Sequence, residues 1–373
     1  MNHKEALADI RRQIDEVDEK LIPLLEKRME IAGLAAQIKR ENNLSIMDTS
    51  REQQVIERAA QGVKEEFRMS LNMAMRTLLA LSRAHQHKLL MPHKRLISSP
   101  RAPKTDDIVC AYQGVPGSWS EQALERTFPG ARRLPVEYFD DVFRCVKDGG
   151  ADYGIVPIEN SRTGAIGETY DLLRRNGCFV VGRVEQDIRQ CLLAPKGVKL
   201  SDISRVLSHP EALKQCGRFL REGGWDQVAC RNTAVAAQEI AQENDGISAA
   251  IASPKAAELN GLEILAEDIA DSKGNRTSFV IIATEPEYDE SCERILATFA
   301  TEHRSGALCE TLMSLQAQNI NLTRIESRPG GQGRYRFFVE VEGNIMDDSV
   351  KNALEQAADT CTYFEVMGCY RCI

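Results

Sequence analysis

The chain has no apolar run approaching the length needed to span a bilayer, and Met1-Asn-His-Lys-Glu has no apolar core of the kind that opens a secretory signal. A cytoplasmic protein is expected. There is no excess of positive charge either. A net charge of −8 and an isoelectric point near 5.5 argue against partners such as nucleic acid or a membrane surface. The 11 cysteines are odd in number and follow no framework spacing, so reduced thiols are expected. Cys369-Tyr-Arg-Cys372 has the CxxC spacing but no second Cys or His pair near it in sequence, and no metal or cofactor is expected. What the chain does have is ample core: 373 residues at 43% hydrophobic imply two or three soluble domains.

Residues 1–91 read as an all-helical domain. Apolar residues recur at 7, 10, 14, 17, 21, 24, 31, 35 and 38, predicting one helix from about Lys4 to Lys39. At 1.5 Å per residue it would run roughly 54 Å. That is longer than a small helical domain is wide, so its stripe is expected to pack against a second copy, giving a homodimer or higher even homo-oligomer. Where position 28 should be apolar stands Arg28; a straight helix puts Lys39 about 20° from it and Arg11 about 100° away. Cations on a buried stripe need anionic partners, either protein carboxylates or a ligand. Asp48 to Glu52 caps a second helix, with Arg51 near its start. A third helix is predicted from about Glu66 to Leu90, carrying Ser82 and Gln86 on one face.

Arg11, Arg28, Lys39, Asp48, Arg51, Glu52, Ser82 and Gln86 together resemble the active-site set of the all-helical chorismate mutases. The resemblance implies an intertwined dimer in which each pocket takes an Arg11-type residue from the other protomer. The Claisen rearrangement of chorismate, a dicarboxylate, needs a pocket that holds the compact conformer and stabilises charge on the breaking ether oxygen. By the resemblance Arg11, Arg28 and Arg51 grip carboxylates and Lys39 and Gln86 hydrogen-bond the ether oxygen. Glu52 holds the substrate hydroxyl, with Asp48 and Ser82 in support.

Residues 92–106, rich in proline, serine and cations, read as a semi-stiff solvated linker. In residues 107–284 short strand-like runs alternate with helical ones, which predicts a two-lobed α/β domain with a mostly parallel sheet and a cleft. At its centre Tyr153 to Ile158 is a buried strand that empties into Glu159-Asn160-Ser161, then glycines, then a helix. Ser118, Ser208-His209-Pro210 and Asn232-Thr233 mark three more polar helix starts. Four such starts ringing one cleft would suit a carboxylate-rich ligand.

This segment resembles prephenate dehydratase along its length, through the glycine–serine loop before Ser118, Pro157 to Ser161, Ser208-His-Pro210 with Gln215, and Asn275-x-Thr277-x-Phe279. The resemblance implies two lobes like those of periplasmic binding proteins and a reaction that expels the ring hydroxyl of prephenate with loss of CO2. It makes Thr277 the proton donor or leaving-group polariser, with Glu159, Asn160, Ser161, Gln215 and Thr233 positioning the substrate and His209 structural. Where the family has arginine after the threonine this chain has Ser278, with Arg276 on the other side.

Residues 292–373 spell βαββαβ, the ferredoxin-like order. Gly306-Ala307-Leu308 and Glu326-Ser327-Arg328-Pro329 resemble the phenylalanine-contacting motifs of ACT regulatory domains, which implies L-phenylalanine bound between two such modules. The whole reads as a bifunctional chorismate mutase and prephenate dehydratase under feedback control. Two rivals stand beside it: a dehydratase preferring arogenate, and a mutase fused to a catalytically silent binding and sensor module.

Overall fold

The chain opens with three helices, α1 (His3–Glu41), α2 (Thr49–Gln61) and α3 (Arg68–Leu89). The computed structural model describes residues 3–42, 44–89, 96–331 and 334–373. The start of the expected linker, residues 92–95, lies outside the described residues. Asp48 caps α2 by accepting from the Arg51 amide at 2.9 Å, as a short carboxylate at an N-cap should. Of α1 only Gly33 and Ala36 are buried, where α3 crosses it. The stripe toward its other end stays open, with Ile14 54%, Val17 61% and Leu24 65% exposed.

A two-lobed α/β region follows. Its first lobe is built from β1 (Val109–Gln113), α4 (Trp119–Thr127), β2 (Arg132–Val136), α5 (Phe139–Lys147), β3 (Tyr153–Asn160), β4 (Gly164–Ala165), α6 (Gly167–Asn176) and β5 (Phe179–Asp187). The second comprises β6 (Cys191–Ala194), β7 (Arg205–Ser208), α7 (Pro210–Gln215), α8 (Gly217–Gly223), β8 (Asp226–Ala229), α9 (Thr233–Glu243), β9 (Ser248–Ala252), α10 (Pro254–Asn260) and β10 (Glu263–Ala266). The chain then returns to the first lobe as β11 (Arg276–Ala283). The sheets run β2-β1-β3-β11-β5, with β4 on β3, and β10-β6-β9-β7-β8.

The expectation of a mostly parallel sheet is corrected. β1 runs parallel to β2 and β3, but β11 lies antiparallel between β3 and β5. In the second lobe β6 is antiparallel to both neighbours. The reason is the route of the chain: it leaves one lobe and comes back, and the returning strand enters the sheet in the opposite sense. β8 and β10 carry no apolar alternation and sit at sheet edges, which is why the sequence does not announce them.

Residues 98–100 and 102–106 of the expected linker are exposed, as a solvated segment should be, but the segment is anchored at three points. Ile97 is buried, Arg101 pairs with Glu287 at 2.6 Å and Lys104 with Asp152 at 2.8 Å. These cations find carboxylates on the α/β region and tether an otherwise exposed segment to it. Glycine is needed where the lobes meet: Gly114 and Gly117 have φ of +121° and +89°, and a Cβ on Gly117 would stand 3.0 Å from the Ala256 Cα.

The last elements are β12 (Arg294–Ala300), α11 (Ala307–Ala317), β13 (Leu322–Pro329), β14 (Tyr335–Glu342), α12 (Asp348–Asp359) and β15 (Tyr363–Tyr370), with sheet order β13-β14-β12-β15. Two compact units result, Met1–Leu96 with Thr298–Glu365 and Ile97–Ala297 with Val366–Ile373. Within the first, α3 meets α11 and α12: Arg76 pairs with Glu310 at 2.5 Å, and Gln356 donates to the Ala80 carbonyl at 2.8 Å. No helix of the described residues is long and apolar enough to cross a membrane.

Gly154 sits mid-strand in β3, where a Cβ would come 2.6 Å from Val142 and 2.9 Å from Ile282. Gly154→Ala should therefore overpack this core and destabilise the α/β region by about 1–3 kcal/mol, read as a lower urea midpoint. An unchanged midpoint would mean that β3 shifts at no cost.

Candidate active sites

The helical segment gathers cations against the rule that charges stay in water, and matches each one. Arg28 on α1 donates to the Leu78 carbonyl at 3.1 Å and to the Ser82 hydroxyl, both on α3. Lys39 donates to Gln86 Oε1 at 3.2 Å and to the Ile46 carbonyl. Burial lowers the Arg28 pKa against the pull of Glu52. For Lys39 burial also lowers it, with Asp48 and Glu52 raising it and Arg83 adding to the fall. Arg28, Lys39, Glu52, Ser82 and Gln86 thus converge. Asp48 and Arg51 are exposed at the start of α2. Arg11 is exposed too, and lies roughly 25 Å along α1 from Arg28, too far to join the same pocket.

One member of this pocket escaped the sequence reading. Arg83 is buried with its side chain 5% exposed and reaches both oxygens of Glu52, at 2.6 Å to Oε1. The signal was there, a cation between Ser82 and Gln86 on the buried side of the third helix, as Arg28 is on the first.

Between the lobes of the second unit lies a cavity of about 240 Å³. Of the expected residues, Asn160, Thr277, Ser118, Gln215 and Thr233 line it, joined by Gln190, Asn232 and Asn275. Ser118 caps α4 and Asn232 caps α9, so two helix N-termini face the cavity from opposite lobes. His209, read as structural, does cap α7 by accepting from the Glu211 amide at 3.2 Å, but it also lines the cavity. Burial lowers its pKa, with Glu211 opposing, which favours the neutral imidazole.

Across the β3–β11 ladder Asn160 faces Thr277. The Asn160 amide donates to Thr277 Oγ1 at 2.8 Å and to Asn275 Oδ1 at 2.9 Å, and Asn275 donates to Gln215 Oε1 at 2.9 Å. The Asn160 oxygen accepts from the Arg162 and Thr163 amides, which assigns its orientation. Because Thr277 Oγ1 accepts from Asn160 and donates to none of the described residues, its proton is available to the cavity.

Three expected residues stand elsewhere. Strand alternation turns Glu159 away from Asn160, and it pairs with Arg183 at 3.5 Å. Ser161 fastens the chain before β11, accepting from the Arg276 amide at 3.0 Å. Ser208 is fully buried and donates to the Ile251 carbonyl at 2.6 Å. Nor does the expected loop-to-helix opening follow β3 directly: residues 159 and 160 pair with β4, and Ile166 precedes α6. Arg276 points to solvent and pairs with Asp187 and Glu185, while Ser278 accepts from Arg183 at 2.9 Å.

A second cavity, of about 500 Å³, lies in the first unit beside Gly306, Ala307 and Leu308 at the start of α11, with Arg304 and Phe337. Glu326, Ser327, Arg328 and Pro329 do not line it; they form the end of edge strand β13, paired to β14. Among the described residues no group of three or more His, Cys, Asp or Glu side chains could hold a metal.

Fold and pockets together define a helical, cation-lined pocket in the first unit and a two-lobed α/β cleft in the second. The chain matches the family Chorismate mutase type II over residues 10–87 and the family Prephenate dehydratase over residues 110–287. It is 30% identical to the bifunctional chorismate mutase/prephenate dehydratase of Escherichia coli (strain K12), over 99% of this chain and 97% of that protein. It is 41% identical to arogenate dehydratase/prephenate dehydratase 2, chloroplastic, of Arabidopsis thaliana, over 70% of this chain and 72% of that one. The crystal structure of prephenate dehydratase in complex with L-Phe from Arthrobacter aurescens superimposes with a TM-score of 0.66 at 29% identity, covering 71% of this chain and 90% of that one. The chain belongs to the bifunctional chorismate mutase/prephenate dehydratase family, and it carries both activities.

With Glu159 outside the cavity, Glu159→Gln should change dehydratase kcat by less than about threefold, whereas Asn160→Ala should cost on the order of 10²-fold. Steady-state kinetics on prephenate separates them. An equal loss in both would return Glu159 to the site.

Proposed function

We propose that the cation-lined pocket on α1, α2 and α3 performs the Claisen rearrangement and the interlobe cavity the dehydration, with the C-terminal βαββαβ module acting as an ACT-type sensor of L-phenylalanine. In the first reaction the ether C–O bond of chorismate breaks as a C–C bond forms, and negative charge grows on the departing oxygen. Lys39 and Gln86 are placed to meet that oxygen and Arg28 to grip a carboxylate with its planar fork. Arg11, too distant in its own chain, would be supplied by a second copy packed on the open stripe of α1. The active form is then a dimer or a higher even oligomer, working in the cytoplasm.

In the second reaction the bond from ring to carboxylate breaks. Its electrons flow through the ring and expel the hydroxyl, which leaves as water once protonated; CO2 and phenylpyruvate result. The observation that carries this assignment is Thr277, held as an acceptor by Asn160 with its own proton open to the cavity. A threonine is too weak an acid to give up that proton outright, so it polarises the leaving hydroxyl or relays a proton to it. Ser118, Gln215 and Thr233 position the substrate, and helix N-termini from both lobes favour its carboxylates.

Support for the effector comes from the phenylalanine-bound relative and from the cavity at Gly306, where α11 begins. Glu326 and Arg328, on the edge strand, would complete the effector site against a second module.

A chorismate assay with product identification tests the whole reading. Phenylpyruvate should form and should fall when L-phenylalanine is added; prephenate accumulating alone would leave a mutase fused to a silent binding module. Running the dehydratase step with arogenate as well decides which substrate is preferred. Lys39→Ala should abolish mutase turnover while the rate on added prephenate stays near normal, and a joint loss would contradict separate sites. Ile14→Glu, on the open stripe, should give monomers in sedimentation and remove mutase turnover. Monomers that keep full turnover would mean each pocket is complete in one chain.

A further inference from the structure

We propose that Arg83 is a positioning residue of the mutase pocket, holding Glu52 so that Lys39 is left unpaired for the substrate. The inference rests on the reading of this pocket as the mutase site.

Arg83 contacts the half-buried carboxylate of Glu52, and two more cations, Arg28 and Lys39, lie within reach of its charge. Arg83 takes both of its oxygens, and Glu52 is the only charged partner of Arg83 among the described residues. Lys39 instead donates to two neutral acceptors, the Gln86 amide oxygen and the Ile46 carbonyl. Its charge is therefore solvated by dipoles and not cancelled by contact, which is what a developing oxyanion needs. Glu52 is near enough that its charge is felt at both Arg28 and Lys39. Released from Arg83, it would pair with one of them through a charge-assisted bond. Pairing with Lys39 would cancel the charge meant for the ether oxygen. A guanidinium serving only to fill space here would be an odd choice, since an apolar side chain of similar volume packs without a desolvation cost.

The test is mutase kinetics on the full chain carrying Arg83→Met, Glu52→Gln or both, with Lys39→Ala alongside. Arg83→Met should lower kcat by about 10–100-fold with KM changed much less. In the Glu52→Gln background the same change should cost less than about threefold, because there is no carboxylate left to release. Equal losses in both backgrounds would overturn the proposal and leave Arg83 a packing residue. If Arg83→Met does not fold, Arg83→Lys decides: it keeps the charge and should retain kcat within about tenfold, and loss of all turnover in a folded protein would count against the proposal. Turnover surviving in Lys39→Ala would sink the mutase reading itself, a separate outcome.

Discussion

A charge taken out of water must be met inside the fold, at a cost of several kcal/mol per ion when it is not. This constraint shapes both units. In the helical pocket it explains why a helix with an apolar stripe can carry Arg28 and Lys39: α3 brings a hydroxyl, an amide oxygen and a main-chain carbonyl to them. In the α/β region it draws the segment after residue 96 onto the surface, through Arg101 to Glu287 and Lys104 to Asp152. Glu287 also accepts from the buried Tyr153 hydroxyl at 2.9 Å, so one carboxylate satisfies a cation and a core phenol together.

The interlobe cavity answers the same demand with neutral groups. Asn160, Asn275 and Gln215 satisfy one another in a chain that crosses from lobe to lobe, and the chain ends on Thr277 with one proton over. Such a network is polar and uncharged, although the carboxylate of Glu211 also lines the cavity. Guanidinium groups are kept to the other side of the sheet. Arg183 sits there between Glu159 and Ser278, and Arg276 is committed to Asp187 and Glu185.

Helix α3 does double duty within the first unit. One side supplies Ser82, Arg83 and Gln86 to the cation-lined helical pocket, and others meet α11 and α12 through Arg76, the Ala80 carbonyl and His87, whose Nε2 lies 3.2 Å from Asp359. Burial alone would lower the His87 pKa, but hydrogen bonds to Asp359 and Glu355 raise it. Within the second unit the last residues of the chain pair with β5: the Arg183 amide donates to the Arg371 carbonyl, and the Ile373 amide to that of Arg183. These last residues are thereby tied by main-chain bonds to the strand whose Arg183 touches Ser278.

Periodicity and spacing determined much of this protein by themselves. The long first helix, the capped second one, most strands of the α/β region and the order of the last six elements follow from local patterns of burial and capping, which act over a few residues. Side chains one helical turn apart, such as Ser82 and Gln86, were legible as a face for the same reason. What only the tertiary structure decided is which neighbours share a side and which partner each charge finds. Glu159, Asn160 and Ser161 read as one polar cluster, yet the pleat sends Asn160 to the cavity and Glu159 to Arg183. Arg83 stood between Ser82 and Gln86 in the sequence, but its partner was decided only when α2 placed Glu52 against it. Strand direction and long-range ion pairs join residues far apart in the chain, and no local pattern records such a meeting.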